Sequence, residues 1–393
     1  MPWKDVSKTM IREEFVKRVL SNEKTKAELC REYNISRPTG DKWIKRFMNG
    51  ENLNDKSKAP FKTANKTNSE IENVIVDYRL KHPAIGALKI HRILQNQGYD
   101  NIPCDSTINA ILKRNNLISK EASINATQYK RFQKENPNDM WQADFKGHFA
   151  LKCGERCHPL NIIDDCSRFN ICSKALPCET FNATMPIFIH AFKEYGLPKS
   201  LLCDNGNPWG TSQSTGYTRF EIQLMDLGIL TIHGRILHPQ TQGKEESFNR
   251  SLNKELLKYH EFMNLDDVQM HLNEYREFYN NERPHHALDL DVPAQHYHKS
   301  NREYPSKIRE WEYSKDCILR KVKSTGYVTY GSQGYFLSES FGGKIVALKE
   351  STTSRNCFNI YYRQFKIARI NADKRAFESK TIYLSENDPR ERQ

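Results

Sequence analysis

The chain has 393 residues, 37% of them hydrophobic and 27% charged, with 60 Lys+Arg against 48 Asp+Glu and a net charge of +12. Mean hydropathy is −0.77, and no stretch approaches the roughly 18 apolar residues of a membrane span, which excludes an integral membrane protein. With 18 Tyr, 19 Phe and 5 Trp the chain can fill several small cores, which excludes a disordered one. Residues 1–136 hold 26 Lys+Arg against 16 Asp+Glu, and the remainder 34 against 32. That asymmetry describes a nucleic-acid-binding arm on a nearly neutral body.

The first fifteen residues have no apolar segment, so no secretory leader is expected. Ten cysteines lack regular spacing and read as reduced thiols of a cytosolic protein. Cys153, Cys157 and His158 cluster without a second ligand pair, which does not make a zinc site.

The first predicted unit, a helix-turn-helix over 1–50, has apolar stripes at Met10, Phe15 and Val19 and at Ala27, Cys30 and Tyr33. Ser36 is placed to cap a third helix, Arg37 to Phe47. That helix carries Arg37, Lys42, Lys45 and Arg46 as candidate DNA contacts. A polar linker is expected over 51–68. A second helical DNA-binding domain follows over 69–120, with Ser106 capping a helix from Thr107, and a second linker over 121–136.

From 137 the texture changes. Strands are predicted at 141–145, 158–164, 169–175, 200–203 and 229–233. They alternate with helices at 182–195, 219–227, from Gly243 and at 266–280, which gives a mixed α/β core over 137–305. Short runs over 306–384 predict a small antiparallel β-barrel or sandwich, and 385–393 a flexible tail.

Three carboxylates stand out. Asp144 lies inside the first strand of a buried sheet, where a charge is costly unless paired. Asp204 ends an apolar strand before Asn205-Gly206, where ligands of α/β sheets gather. Glu246 opens the helix after Gly243. On a helical wheel Glu245 falls within the stripe of Phe248, Leu252 and Leu256, and Glu246 falls off it. All three positions equally suit ordinary strand-end and helix-start acids. If they act together, two Asp and one Glu make a hard oxygen site suited to Mg²⁺ or Mn²⁺. Two such ions grip the attacking and leaving oxygens of a phosphodiester. Asp164 and Asp165 also end a strand, with Arg168 as a structural partner. No Gly-rich GxxxxGK[ST] phosphate loop occurs.

The stretches Trp141-Gln142-Ala143-Asp144-Phe145, Cys203-Asp204-Asn205-Gly206 and His238-Pro239-Gln240-Thr241-Gln242-Gly243-Lys244-Glu245-Glu246 resemble, in this order, the signatures of bacterial insertion-sequence DDE transposases with a retroviral-integrase-type core. Ile162 to Phe169 and Tyr279 to Leu288 are similar to two further segments of that family. The resemblance implies a ribonuclease-H-like fold with Asp144, Asp204 and Glu246 as metal-binding triad. It implies Mg²⁺-dependent cleavage at transposon ends and 3′-hydroxyl strand transfer into target DNA. His238 and Lys244 would lie near the scissile phosphate, with Arg250 the nearest cation on the helix. Double-stranded DNA and a homo-oligomer are the implied partners, and the cytoplasm, at the nucleoid, the implied location. Two departures stand out. Ser247 replaces an Arg common after the Glu, and forty-one residues separate Asp204 from Glu246. The 207–218 stretch is therefore expected to be an extended loop, with Trp209 and Tyr217 leaning to DNA contact. The rival readings are a catalytically silent transposase-derived DNA-binding regulator, against which the complete triad argues, and a nuclease without strand transfer.

Overall fold

The computed structural model describes residues 8–56, 67–118, 133–210, 216–233, 243–352, 354–374 and 376–384. The expected tail lies outside them, as does most of both expected linkers. The chain divides into two compact units, Met1–Lys66 and Thr67–Gln393.

The first unit consists of α1 (Lys8–Leu20), α2 (Lys26–Glu32) and α3 (Arg37–Met48). Thr25 and Glu28 form a capping box on α2, and Ser36 caps α3 as expected. Phe15, Val16, Leu29, Cys30 and Trp43 fill its core. The helices cross closely at Gly40, where an added Cβ would stand 2.8 Å from Cys30 Sγ and 3.1 Å from the Phe15 ring.

The second unit opens with α4 (Ser69–Lys81), α5 (Ala87–Asn96) and α6 (Asp105–Arg114), closed around Ile75, Ile90, Leu94, Ile108 and Ile111. Helix α6 starts two residues before the expected Thr107, with Cys104 rather than Ser106 at its cap. The earlier start puts the Asp105 carboxylate in the first turn, where the helix dipole favours it. These helices are joined to the body that follows: the His82 ring stacks on Phe278 at 4.4 Å and Arg92 pairs with Asp291 at 2.9 Å. Residues 67–118 hold six Lys+Arg and five Asp+Glu, so the basic excess of the N-terminal third lies outside this helical unit.

The core sheet comprises β1 (Met140–Phe145), β2 (Phe149–Ala150), β3 (Arg156–Asp164), β4 (Asn170–Leu176), β5 (Ser200–Cys203) and β6 (Leu230–His233). Its order is β4-β3-β1-β5-β6, with the short β2 on the start of β3. The β4-β3-β1 pairs are antiparallel and the β1-β5-β6 pairs parallel. Four helices cover it: α7 (Phe181–Tyr195), α8 (Arg219–Asp226), α9 (Gly243–Glu255) and α10 (Leu265–Asn281). Strand alternation decides which residue faces which layer. Trp141, Ala143 and Ile162 join Phe188, Phe192 and Phe220 of α7 and α8. Ile163 and Ala175 join Phe248, Leu252 and Leu272 of α9 and α10. Asp144, one residue after Ala143, therefore faces α9.

The C-terminal strands are β7 (Ile318–Lys321), β8 (Tyr327–Tyr330), β9 (Gln333–Phe336), β10 (Ile345–Glu350), β11 (Cys357–Tyr362), β12 (Phe365–Asn371) and β13 (Ala376–Leu384). They form an open sheet β13-β12-β11-β10-β7 and a separate β8-β9 hairpin. The expected barrel is corrected here, because no closed barrel forms among the described residues. The apolar face that a barrel would enclose is already covered. Val346, Leu348, Ile360 and Ile370 pack with the hairpin and with Ile222 and Met225 of α8. Asp226 at the end of α8 binds Lys344 at 2.9 Å, Arg363 Nε at 3.1 Å and the Tyr362 hydroxyl at 2.5 Å. Among the described residues no helix is long and apolar enough to cross a membrane.

Helices α9 and α10 are clamped at one end. Arg283, just past α10, donates from Nε and Nη2 to the two Glu255 oxygens at 2.8 and 2.7 Å, and to Ser251 Oγ at 3.1 Å. The Arg283 side chain is 8% exposed and that of Glu255 11%. Arg283→Ala strands a largely buried carboxylate and is expected to cost about 3–5 kcal/mol by chemical denaturation. The double variant Arg283→Met with Glu255→Leu is expected to recover more than half of that loss. A double variant as unstable as the single one contradicts the clamp.

Candidate active site

Asp144 and Asp204 reach the same place from parallel neighbours. Asp144 stands in β1 and Asp204 directly follows β5. Asp204 sits on a tight turn whose Gly206 amide donates to its Oδ1 at 3.0 Å. A Cβ on Gly206 would crowd that carboxylate at 3.1 Å. His233 steadies the turn from β6. Its Nδ1 donates to the Asp204 carbonyl oxygen across 2.8 Å, and its Nε2 lies 3.1 Å from the buried Glu221.

Both carboxylates line an open cleft of about 350 Å³ together with Glu179, Gly147, Gly206 and Trp209. Among the described residues no Lys or Arg lines it. Burial, and then the Asp204 charge, push the Asp144 carboxyl up to about 6, with smaller contributions from Glu179 and Glu246. Clustered acids with no cation among them suit a hard divalent ion such as Mg²⁺. That is the observation by which the cleft fits one. Among the described residues no three His, Cys, Asp or Glu side chains stand close enough to hold a metal ion as placed.

Glu246 is exposed on the first turn of α9, outside the cleft lining, while its neighbour Glu245 is buried. The wheel expectation for this pair matches that burial. Glu245 has no hydrogen-bond partner for either oxygen among the described residues, and burial raises its pKa well above the usual carboxylate range. One turn beyond Glu246, Asn249 donates from Nδ2 to Asp144 Oδ2 at 3.0 Å.

Sequence reasoning missed Glu179 and Asn249. Glu179 follows β4 just before Thr180, the cap of α7, and its Oε1 lies 2.7 Å from His158 Nδ1. The strand-end rule that singled out Asp204 could have found it. Asn249 carried no signal, because an amide on a helix becomes informative only once its neighbours are known.

The remaining expected contacts divide. Arg37, Lys42 and Lys45 are exposed on α3, and Arg250 is exposed on α9. Arg46 is engaged: its guanidinium lies over the Trp43 ring at 5.0 Å, beside Glu51 at 3.6 Å, and donates to the Asn52 carbonyl. His238 lies outside the described residues. Lys244 turns inward to Asp165, which also accepts from Gln142 Nε2 at 2.6 Å and the Lys134 amide at 2.7 Å. Burial outweighs the Asp165 charge and brings the Lys244 pKa down to about 8. Asp164 accepts from the Ser167 amide and hydroxyl and from the Asn138 amide, at 2.7–2.8 Å. Both strand-end Asp are thus structural.

Two family models match the chain, an integrase core domain over residues 227–293 and a helix-turn-helix domain over residues 11–61. The integrase-core match encloses β6, α9, α10 and the Arg283 clamp. The uncharacterized 31.7 kDa protein of insertion element IS407 from Burkholderia multivorans is 25% identical over 185 residues, 44% of this chain and 61% of that protein. This chain therefore spans less than two thirds of that relative. These matches bear out the resemblance to insertion-sequence transposases. Solved structures with similarity include the HTLV-2 integrase catalytic core domain in complex with magnesium, in dimeric form (20% identity, TM-score 0.32, 42% of this chain and 99% of that chain). A chain of the simian T-cell lymphotropic virus intasome in complex with PP2A regulatory subunit B56 gamma is 16% identical (TM-score 0.37, 79% and 99%).

The expected DNA role of Trp209 and Tyr217 is corrected by their burial. Trp209 is buried against Phe220 at 4.9 Å and against Phe145 and Phe188 at 5.6 Å. Tyr217 is buried on Phe341, with its hydroxyl donating to the Ile367 carbonyl. Trp209→Ala is expected to cost about 3–5 kcal/mol of stability, with DNA affinity per folded molecule unchanged in a filter-binding assay. Weaker DNA binding at unchanged stability contradicts the packing role.

Proposed function

We propose that the protein is a DNA transposase that binds transposon ends, cleaves them and joins the freed 3′-hydroxyl to target DNA. The observation that carries this reading is the cleft between β1 and β5, where Asp144 and Asp204 face each other's charge with no cationic side chain among the described residues of the lining. Asp144, Asp204 and Glu246 are the residues that would hold Mg²⁺, or Mn²⁺ in its place. The chemistry supplied by two such ions is neutralisation of charge on the phosphodiester and on its attacking and leaving oxygens.

The chain's own residues set the geometry. Asp144 is fixed in a strand and Asp204 on a tight turn. Glu246 is carried on the first turn of α9, one turn before the Asn249 whose amide reaches Asp144. The exposed Arg37, Lys42 and Lys45 of the first unit neutralise DNA phosphates and give binding a steep salt dependence. Arg250 adds a charge on α9 itself. The 69–120 helices are read as a second DNA-binding domain and the 306–384 strands as a platform for DNA or assembly. Two ends must be held together during joining, so the active form contains more than one copy. Such a protein works at the nucleoid.

The test is a strand-transfer assay with Mg²⁺ on DNA carrying the element's flanking ends. Wild type is expected to give joined products. Glu246→Gln is expected to bind equally well and to lose joining by more than about 100-fold, beyond the loss of a supporting partner. DNA binding by wild type with neither cleavage nor joining, in Mg²⁺ or Mn²⁺, favours the silent regulator. Cleavage without joining favours the nuclease.

A further inference from the structure

A line of buried amides and one hydroxyl ends on the Asp144 carboxylate. Asn249 on α9 donates from Nδ2 to Asp144 Oδ2 at 3.0 Å and accepts at Oδ1 from Asn161 Nδ2 at 2.9 Å. Asn161 lies directly across from Asp144 in the β1-β3 ladder. Its Oδ1 accepts from Ser173 Oγ of β4 at 2.8 Å, and that hydroxyl accepts from Asn170 Nδ2 at 2.8 Å. Asn280 of α10 clasps the Asn170 backbone, accepting from its amide at 2.8 Å and donating to its carbonyl at 3.0 Å. All five of these side chains are buried.

The line has one direction. A carboxylate only accepts, so Asn249 must present its NH₂ to Asp144 and its oxygen inward. Asn161 must then present its NH₂ to Asn249 and its oxygen to Ser173. A flip of either amide would set oxygen against oxygen in a dry interior, and the cost of unmet buried polar groups resists it. The carboxylate therefore has its rotation fixed from three elements, β3, β4 and α9, rather than from its own strand alone. Asn249 stands three residues after Glu246, on the next turn of the same helix. Any rotation of α9 that moves Glu246 also moves the donor on Asp144.

We infer that Asn249 is a positioning residue that sets the orientation of Asp144 and ties it to helix α9, so that cation binding in the cleft depends on this amide. Asn249 acts through Asp144 and touches no reacting atom. The inference rests on the cation-binding cleft proposed above, and its test separates the two.

The measurement is the affinity of the DNA-free full chain for Mn²⁺ by titration calorimetry. Four proteins are compared: wild type, Asn249→Ala, Asp144→Asn and Leu252→Ala. Leu252 is buried on the same helix and belongs to its apolar packing, so its truncation reports what a merely loosened α9 does. Thermal melts place the Asn249 and Leu252 variants on one stability scale. Asn249→Ala is expected to weaken Mn²⁺ binding about 10- to 100-fold, as loss of an orienting partner does at metal sites. Leu252→Ala is expected to keep wild-type affinity despite an equal or larger loss of stability. Asp144→Asn is expected to abolish binding. Wild-type affinity in Asn249→Ala, with binding lost in Asp144→Asn, overturns the inference and leaves the cleft standing. Equal weakening in Asn249→Ala and Leu252→Ala also overturns it, because the amide is then only structural. Binding by Asp144→Asn at wild-type affinity, or no binding by wild type, overturns the cleft reading and the inference with it.

Discussion

Helix α9 is held along its length by charged and polar contacts, and the geometry of the sheet-and-helix body follows from that. Its first turn is fixed by Lys244 on Asp165, its middle by Asn249 on Asp144, and its last turn by Glu255 on Arg283. The contacts at Asp165 and Arg283 take ionised groups out of water, which is unfavourable unless the partner stays in place, while Asp144 is half-buried at the cleft. The apolar stripe of Phe248 and Leu252 gives α9 its adhesion to the sheet. Apolar packing alone tolerates small rotations and slides, and directional charge contacts at three heights do not. The helix is thereby set in one register against β1, the strand that carries Asp144. The segment matched by the integrase core domain contains all three anchoring residues on α9 and the Arg283 that closes the clamp, while Asp165 and Asp144 lie outside it.

The same economy of buried charge explains the strand-end acids. Asp164 and Asp165 look from the sequence like cleft residues, because they sit where a strand opens. Asp164 is consumed by local amides and the Ser167 hydroxyl, and Asp165 by Gln142 and Lys244. Among the described residues Asp144 has one side-chain donor, Asn249, and Asp204 accepts from one amide of its own turn, Gly206. Both still face the open cleft, and that difference in saturation separates structural acids from acids left with coordinating capacity.

Much of this was legible in the sequence. Period-2 alternation and strand-end turn residues placed β1, β3, β5 and β6 to within about two residues, and the helical wheel separated buried Glu245 from exposed Glu246. What was not legible depends on partners far along the chain. Trp209 and Tyr217 read as loop aromatics because nothing nearby in sequence shows that α7, α8 and the C-terminal sheet close over them. Lys244 read as a phosphate contact because its partner, Asp165, lies 79 residues away. The C-terminal strands read as a barrel because short alternating strands usually close on themselves, and here α8 covers the apolar face. Asn249 was invisible because a hydrogen-bonding amide has no periodic signature. The 69–120 helices read as a second basic helical DNA-binding domain, yet their charge is nearly balanced, and His82 and Arg92 hold them to the body.

In the proposed function the cleft between β1 and β5 gathers a divalent cation onto Asp144 and Asp204. The most direct measurement is an anomalous difference map from crystals of the full chain soaked in Mn²⁺. The account expects a peak within coordinating distance of the Asp144 and Asp204 carboxylates. A peak at Asp164 and Asp165 instead, or none in the cleft at saturating Mn²⁺, would contradict it.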